Sequence, residues 1–296
     1  MPPRHTPLRG RSIGVMFDRS HRPTALPEFV RALDRMPVDD CWIVEDIGWA
    51  GSVALTATAL ANSSRLRIGM GVCPVPLRNP VLHAMELAAL AELHPGRLIA
   101  GLGHGSPARL RRVAPRGGSQ LALLEATLAA VRRLLAGDRV TLRRESVHLD
   151  DARLEHVPPV PPALYVGAVG PRTLALSGRI ADGTVLAEGC TPDVLGRDLA
   201  YLRAGGAGPH EVVVYQHLLI HSDKRHVEKV GGPVIAKFAE LHRVAPDPAM
   251  IAAGDPGTAA KRVTSLWDAG ADTVVLRPIG ADPLTQVRRV LEALGR

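Results

Sequence analysis

Residues 65–105, RLRIGMGVCPVPLRNPVLHAMELAALAELHPGRLIAGLGHG, constrain the fold more than any other stretch. They read as a buried strand (66–72), a proline-bearing loop (73–79) and a helix (80–93). His94-Pro95-Gly96 breaks the helix, and a second buried strand (97–102) runs into the glycine turn Gly101-Leu102-Gly103-His104-Gly105. Strand, helix and strand in that order make one βαβ unit, whose crossover is right-handed and whose strands are parallel.

The same alternation of apolar runs and amphipathic helices extends along the chain, the pattern of an α/β protein with a parallel sheet. Strands are expected at 12–16, 41–44, 66–72, 97–102, 164–167, 183–187, 211–220 and 273–276. Eight such units over 296 residues argue a closed (β/α)8 TIM barrel in a single domain, 1–296. An open doubly wound sheet fits less well, because no acidic residue follows the glycine turn where a ribose contact would fall. Residues 137–162 are too long for a plain connection, and the alternation in Val140-Thr141-Leu142 and Val147-His148-Leu149 predicts a hairpin inserted before the fifth strand. Residues 245–257, rich in Pro, Asp and Gly, read as a loop ahead of the last outer helix at 258–269.

The formal charge of +7 brings nucleic acid into consideration. Aromatic residues make up only 3%, the arginines are dispersed over many helices, and no zinc-ligand spacing occurs, so no nucleic-acid partner and no metal are expected. A polyanionic small ligand explains the excess at least as well; a non-enzymatic basic binding protein is the alternative from another class. No apolar run reaches the length of about 18 residues that a membrane span needs. The basic N-terminal MPPRHTPLRGRS lacks a following signal-type apolar stretch and reads as a short arm. Cys41, Cys73 and Cys190, odd in number and widely spaced, fit reduced thiols of a cytoplasmic protein.

In a barrel of this kind the site lies where the strands' C-terminal ends meet. The second strand ends in Glu45-Asp46, the third in Val72-Cys73-Pro74 with Arg78 beyond, the fourth in His104 and Ser106, the sixth in Glu188-Gly189-Cys190 and the eighth in Arg277-Pro278. The fifth ends in Gly167-Ala168-Val169-Gly170-Pro171-Arg172-Thr173. Its glycines allow close backbone approach, and Pro171 stands where a first helical residue belongs. Free N–H groups at that helix start, with Arg172 and Thr173 beside them, make an anion site; a well-capped tight turn is the plainer alternative.

Several of these features at fixed spacing resemble the bacterial luciferase-like superfamily of flavin and deazaflavin oxidoreductases. The matching points are Gly69-Met70-Gly71-Val72, Arg78-Asn79-Pro80, the alanine-rich helix, His94-Pro95-Gly96-Arg97, the Gly101–Gly105 turn and the Gly-Ala-x-Gly-Pro turn at 167–171. The resemblance implies that Gly167, Ala168, Gly170, Pro171 and Arg172 hold the cofactor phosphate. It implies that Gly71, Val72 and Cys73 lie under its central ring, with a non-prolyl cis peptide at Gly71-Val72, and that Gly103, His104 and Gly105 line its ribityl side. Much of the family carries a histidine after the second strand, where this chain has Asp46-Ile47, so that catalytic histidine does not transfer. Asp46, Glu45, His104 and Glu188 are the candidate catalytic proton donors and acceptors; a helix-terminal charge pair is the plainer alternative for Glu45 and Asp46. The likeness is closest to the methylenetetrahydromethanopterin-reductase-like branch, which implies coenzyme F420, with FMN and monooxygenase chemistry as the alternative. It implies hydride transfer to or from an unsaturated small-molecule substrate, and a homodimer built on outer helices; the alanine-rich stretches at 54–61 and 84–91 permit close packing there, or equally face the barrel. The basic run Arg109, Arg111, Arg112 and Arg116 would suit the glutamate tail of F420, or would be a solvated helix face.

Overall fold

In the computed structural model, residues 10–113, 118–144, 147–206 and 208–296 are described; Arg116 and the arm at 1–9 lie outside them. Four parallel strands come first: β1 (Ser12–Phe17), β2 (Asp40–Ile43), β3 (Arg67–Pro74) and β4 (Leu98–Gly103). The antiparallel hairpin β5 (Val140–Arg144) and β6 (Val147–Ala152) follows, as expected of the insertion. Next come β7 (Ala163–Ala168), β8 (Gly183–Leu186), β9 (Glu211–Ile220), β10 (Ala252–Gly254) and β11 (Thr273–Pro278). The order β9-β11-β1-β2-β3-β4-β7-β8 closes through a β8–β9 pairing, so eight parallel strands form a complete barrel. Closure leaves the barrel without edges and buries its strands on both faces.

The helices α1 (Leu26–Asp34), α2 (Ser52–Ala61), α3 (Pro80–Leu93), α4 (Pro107–Leu110), α5 (Gln120–Leu135), α6 (Pro171–Ile180), α7 (Pro192–Gly205), α8 (Lys224–His242), α9 (Pro256–Asp268) and α10 (Pro283–Ala293) connect these strands. Their starts are written in the sequence. Proline occupies the first helical position of α3, α6, α7, α9 and α10, where its missing N–H costs nothing. Asn79, Thr191 and Asp255 precede three of these and accept a bond from a first-turn N–H.

Two expectations near the C-terminus are corrected. Residues 245–257 are not only a loop, because a 3-10 turn (Pro248–Met250) leads into β10, which pairs with Leu218–Ile220 of β9. At ten residues β9 is longer than β8, and β10 covers its projecting end. The helix near 258–269 is α9, and it is not the last, since β11 and α10 follow it.

The barrel interior is filled in layers. At the N-terminal end of the strands, Arg67 donates to both oxygens of Asp40 (2.7 and 2.9 Å) and both of Glu211 (2.9 and 3.1 Å). Glu211 also accepts from the Tyr165 hydroxyl (2.6 Å) and the Thr273 hydroxyl (2.9 Å). Trp42 lies above, fully buried, with Tyr165 and Tyr215 against its ring. A Cβ at Gly14 or Gly69 would come within 2.9 or 2.5 Å of the indole, so these glycines make room for it. The layer is completed by Met16, Ile99, Val213 and Val275. Space opens only above it, at the C-terminal strand ends.

Candidate active site

That space is a cavity of ≈570 Å³. Its floor is Val72, which follows a cis Gly71-Val72 peptide at a break in the β3–β4 register between Met70 and Cys73. The Val72 side chain fills the places where Gly103 and Gly167 lack a Cβ: an added Cβ would lie 2.6 Å from it at Gly103 and 2.8 Å at Gly167, whereas at Gly101 it would strike the Met70 carbonyl oxygen at 2.2 Å. On the other side, a Cβ at Gly71 would lie 1.6 Å from the Tyr215 hydroxyl oxygen, and that hydroxyl donates to the Gly71 carbonyl over 3.4 Å. One glycine from each sequence motif, Gly103 and Gly167, therefore serves to seat one valine.

This contact makes a prediction. Gly71→Ala is expected to destabilise the fold by about 1–3 kcal/mol through overpacking. Adding Tyr215→Phe, which removes the oxygen that the methyl would strike, should recover part of the loss; Trp42, 2.9 Å from the same Cβ position, prevents full recovery. Unfolding midpoints of the two single variants and the double variant measure the coupling. Additive losses would show that Tyr215 does not set the requirement for glycine.

The expected residues Gly71, Val72, His104, Gly105, Gly167, Ala168, Gly170, Glu45, Asp46 and Glu188 are brought together on the cavity wall. Cys73, Gly103, Pro171 and Arg172 are not part of it. Cys73 is buried behind the wall within 3.2 Å of Ser52 Oγ, and burial pushes its thiol up to about 12, so it is no ring contact. Gly103 is covered by Val72. Pro171 and Arg172 are exposed on the first turn of α6. Gly170, the residue before that turn, has nothing within 4 Å of a would-be Cβ, and Thr173 in the same turn reaches the cavity.

The three carboxylates are already engaged. Asp46 pairs with Arg19 and, over 2.9 Å, with Arg109, a partly exposed side chain outside the cavity wall. Glu45 accepts from Arg78 (2.8 Å) and from the Ser52 hydroxyl. Burial alone would raise its pKa, but the bonds from Arg78 and Ser52 outweigh burial and hold it below the usual range. Glu188 accepts from Arg277 (2.6 Å), and there too the guanidinium overcomes burial and lowers the carboxyl. His104 differs. Burial lowers its pKa, its Nε2 lies 3.3 Å from the Thr173 hydroxyl, and its Nδ1 is buried with no hydrogen-bond partner. A neutral imidazole with one nitrogen unsatisfied is the group in this cavity best suited to exchange a proton with a ligand.

Arg19, Tyr215 and Leu241 also line the cavity without having been singled out in the sequence. No group of three or more potential metal-ligating side chains occurs among the described residues, and no described helix is long and apolar enough to cross a membrane.

The family model described as luciferase-like monooxygenase matches residues 5–229. The chain belongs to the luciferase-like monooxygenase family. Among relatives of this luciferase-like protein, the 5,10-methylenetetrahydromethanopterin reductase of Methanolobus tindarius is 27% identical over 217 residues, 72% of this chain and 66% of that one. The F420-dependent glucose-6-phosphate dehydrogenase of Nakamurella multipartita is 31% identical over 150 residues, 49% of this chain and 42% of its own. The chain thus spans less than two thirds of the length of either relative. An F420-dependent secondary alcohol dehydrogenase, solved with an F420–acetone adduct, superposes with a TM-score of 0.81 at 20% identity, covering 96% of this chain and 99% of the other. At that identity the superposition establishes the shared barrel.

Proposed function

We propose that this luciferase-like protein is a coenzyme F420-dependent oxidoreductase, transferring a hydride between C5 of the deazaflavin and an unsaturated carbon of a small-molecule substrate. The observation that carries this reading is the form of the cavity. An apolar shelf at Val72, continued by Val44, Ala168, Val185 and Leu186, suits a flat ring, and the start of α6 at Gly170 and Thr173 suits a phosphate beside it. Relatives whose names carry F420 or the reduction of a methylene-pterin support the deazaflavin over FMN.

The residues present fit such a group. Val72 would support the ring; Gly170, Thr173 and Ser106 would hold the phosphate; and the exposed Arg111 and Arg112 beyond α4 would meet an anionic tail at the rim. When bound, the deazaflavin gives or takes the hydride at C5, because the cofactor carries the hard chemistry. His104 holds or releases a proton at Nδ1 while Thr173 fixes its other nitrogen. Asp46, Glu45 and Glu188, each locked to arginine, orient the wall and keep its charge in place. The apolar shelf of Val44, Val72, Ala168, Val185 and Leu186 would keep water from the underside of the ring.

Fluorescence titration of the purified chain with coenzyme F420 and with FMN is the direct test. Saturable F420 binding is expected, and binding of FMN alone would overturn the deazaflavin reading in favour of the FMN-dependent alternative.

A homodimer belongs to the same proposal. Its surface is not the alanines of α3, since Ala84, Ala88 and Ala91 are buried toward the barrel. The opposite face exposes Leu82 (57%), Met85 (52%) and Leu93 (72%), an apolar stripe at helical spacing. Light scattering should give twice the chain mass, and Met85→Glu should return it to the monomer value. A monomeric wild-type mass would remove the dimer from the proposal.

A further inference from the structure

Arg277 lines both the main cavity and a smaller one of ≈210 Å³, walled also by Asp18, Ser20, His217, Val234 and Gly280. The guanidinium is engaged on two sides, donating through Nε to Asp18 (2.7 Å) and through a terminal nitrogen to Glu188 (2.6 Å). Asp18 further accepts from the Ser20 N–H (2.8 Å) and hydroxyl (2.6 Å). His217 projects from β9 beside this chain of charges, only 8% exposed, with Phe238 of α8 against its ring at 5.1 Å. Its Nδ1 is buried and has no hydrogen-bond partner. A buried polar atom left in this state disfavours the fold and asks for a ligand or water to complete it.

The charges around His217 select what that ligand is. Burial would raise Asp18, but the bonds from Ser20 and Arg277 outweigh it and lower its pKa to about 2. Glu188 is likewise held low by Arg277, and burial lowers His217 to about 4. At neutral pH the side cavity carries the Asp18 carboxylate, the Arg277 guanidinium and a neutral imidazole, and the Glu188 carboxylate stands behind Arg277 on the main-cavity wall. Lys237 of α8 is the other cation near His217, but it is exposed and outside the lining, where solvent screens it. His21, also on this wall, stands at the open side against Phe17. A phosphate or carboxylate arriving here meets a guanidinium already committed to two acids. A protonated amine meets an excess of negative charge and an imidazole able to accept.

We propose that the side cavity is a substrate subsite for a basic nitrogen group, an amine bound as ammonium and donating to His217 and to the Asp18 carboxylate, with the Glu188 carboxylate adding negative charge from the far side of Arg277. The substrate of this enzyme is then an amine-bearing molecule whose reacting carbon lies in the main cavity. This rests on the oxidoreductase reading for the reacting end, whereas the subsite itself rests on the geometry around Arg277.

Three four-carbon probes of equal size test it: n-butylammonium, n-butanol and butyrate. Each is titrated into the full chain while the His217 imidazole resonance, assigned by its loss in His217→Asn, is followed by NMR. The ammonium is expected to shift that resonance saturably and butyrate to leave it unmoved. Glu188→Gln and Asp18→Asn keep an acceptor for Arg277 while removing one charge. Each should weaken the ammonium about tenfold, through the loss of one negative charge, and narrow its preference over n-butanol. Two such variants are used so that a folding defect in one, seen by near-ultraviolet dichroism, leaves the other to decide. Butyrate binding as well as the ammonium, or both variants retaining wild-type ammonium affinity, overturns the subsite. Coenzyme F420 titrated into the same samples separates the two claims: ammonium selectivity without F420 binding removes the cofactor reading and leaves the subsite standing, and the reverse result removes the subsite alone.

Discussion

Arg67→Met is expected to destabilise the barrel by about 3–5 kcal/mol, because it leaves two buried carboxylates without their shared cation. Asp40 and Glu211 both bind that one guanidinium, and each is almost wholly enclosed. In the native protein the two acids respond oppositely to pH. Burial raises Asp40 in spite of Arg67, so its contribution weakens as pH rises through the carboxylate range. Burial would also raise Glu211, but bonds from Arg67, Tyr165 and Thr273 outweigh it and lower the pKa. Its contribution is therefore present above the unfolded value and is lost as pH falls through the folded one. Without Arg67 both carboxyls are raised, and the folded state binds more protons than the unfolded. The stability of the variant must then fall as pH rises. Urea unfolding at pH 5 and pH 8 reads this out, with the deficit against the native protein larger at pH 8. An equal deficit at both would mean that lost packing, not charge, explains the variant.

Gly170→Asp should lower affinity for the proposed cofactor by about 2–3 kcal/mol, near a hundredfold, by setting a carboxylate against phosphate at the start of α6. The substitution is well suited to the purpose. No atom lies within 4 Å of the new Cβ, the backbone there is extended (φ −99°), and aspartate is itself a good helix cap. Thermal stability should therefore hold or rise while F420 fluorescence titration loses its saturation. Unchanged affinity would move the phosphate away from α6 altogether.

The barrel was legible because its signals are local. Proline and cap residues announce helix starts at Asn79-Pro80, Thr191-Pro192 and Asp255-Pro256, and each strand is a short apolar run. The glycine turns were legible as places of close approach, yet what approaches is Val72 from a neighbouring strand, and no spacing rule joins Val72 to Gly103 and Gly167. Tyr215 was hidden because all ten residues of β9 are buried, so no alternation marks which side chains point inward. Arg19 sits in the polar stretch Asp18-Arg19-Ser20, which reads like any surface connection until β1 and β2 bring it beside Asp46. Arg109 was read with its sequence neighbours as a tail-binding run, whereas its partner Asp46 belongs to a different strand end. In each case the decisive contact joins residues far apart in the chain. Short β10 was missed because its three residues, Ala252-Ala253-Gly254, have too little apolar character to stand out from a loop.

The stacked floor of the barrel has a kinetic consequence. Below Val72 the interior is occupied by Trp42 and its neighbours, and below them by the Arg67 cluster. The cavity is consequently closed from below, and molecules reach Val72 from the C-terminal face of the barrel. Under the proposed function, the molecule lying on Val72 would then enter first and leave last, an order imposed by the filled floor rather than by relative affinity.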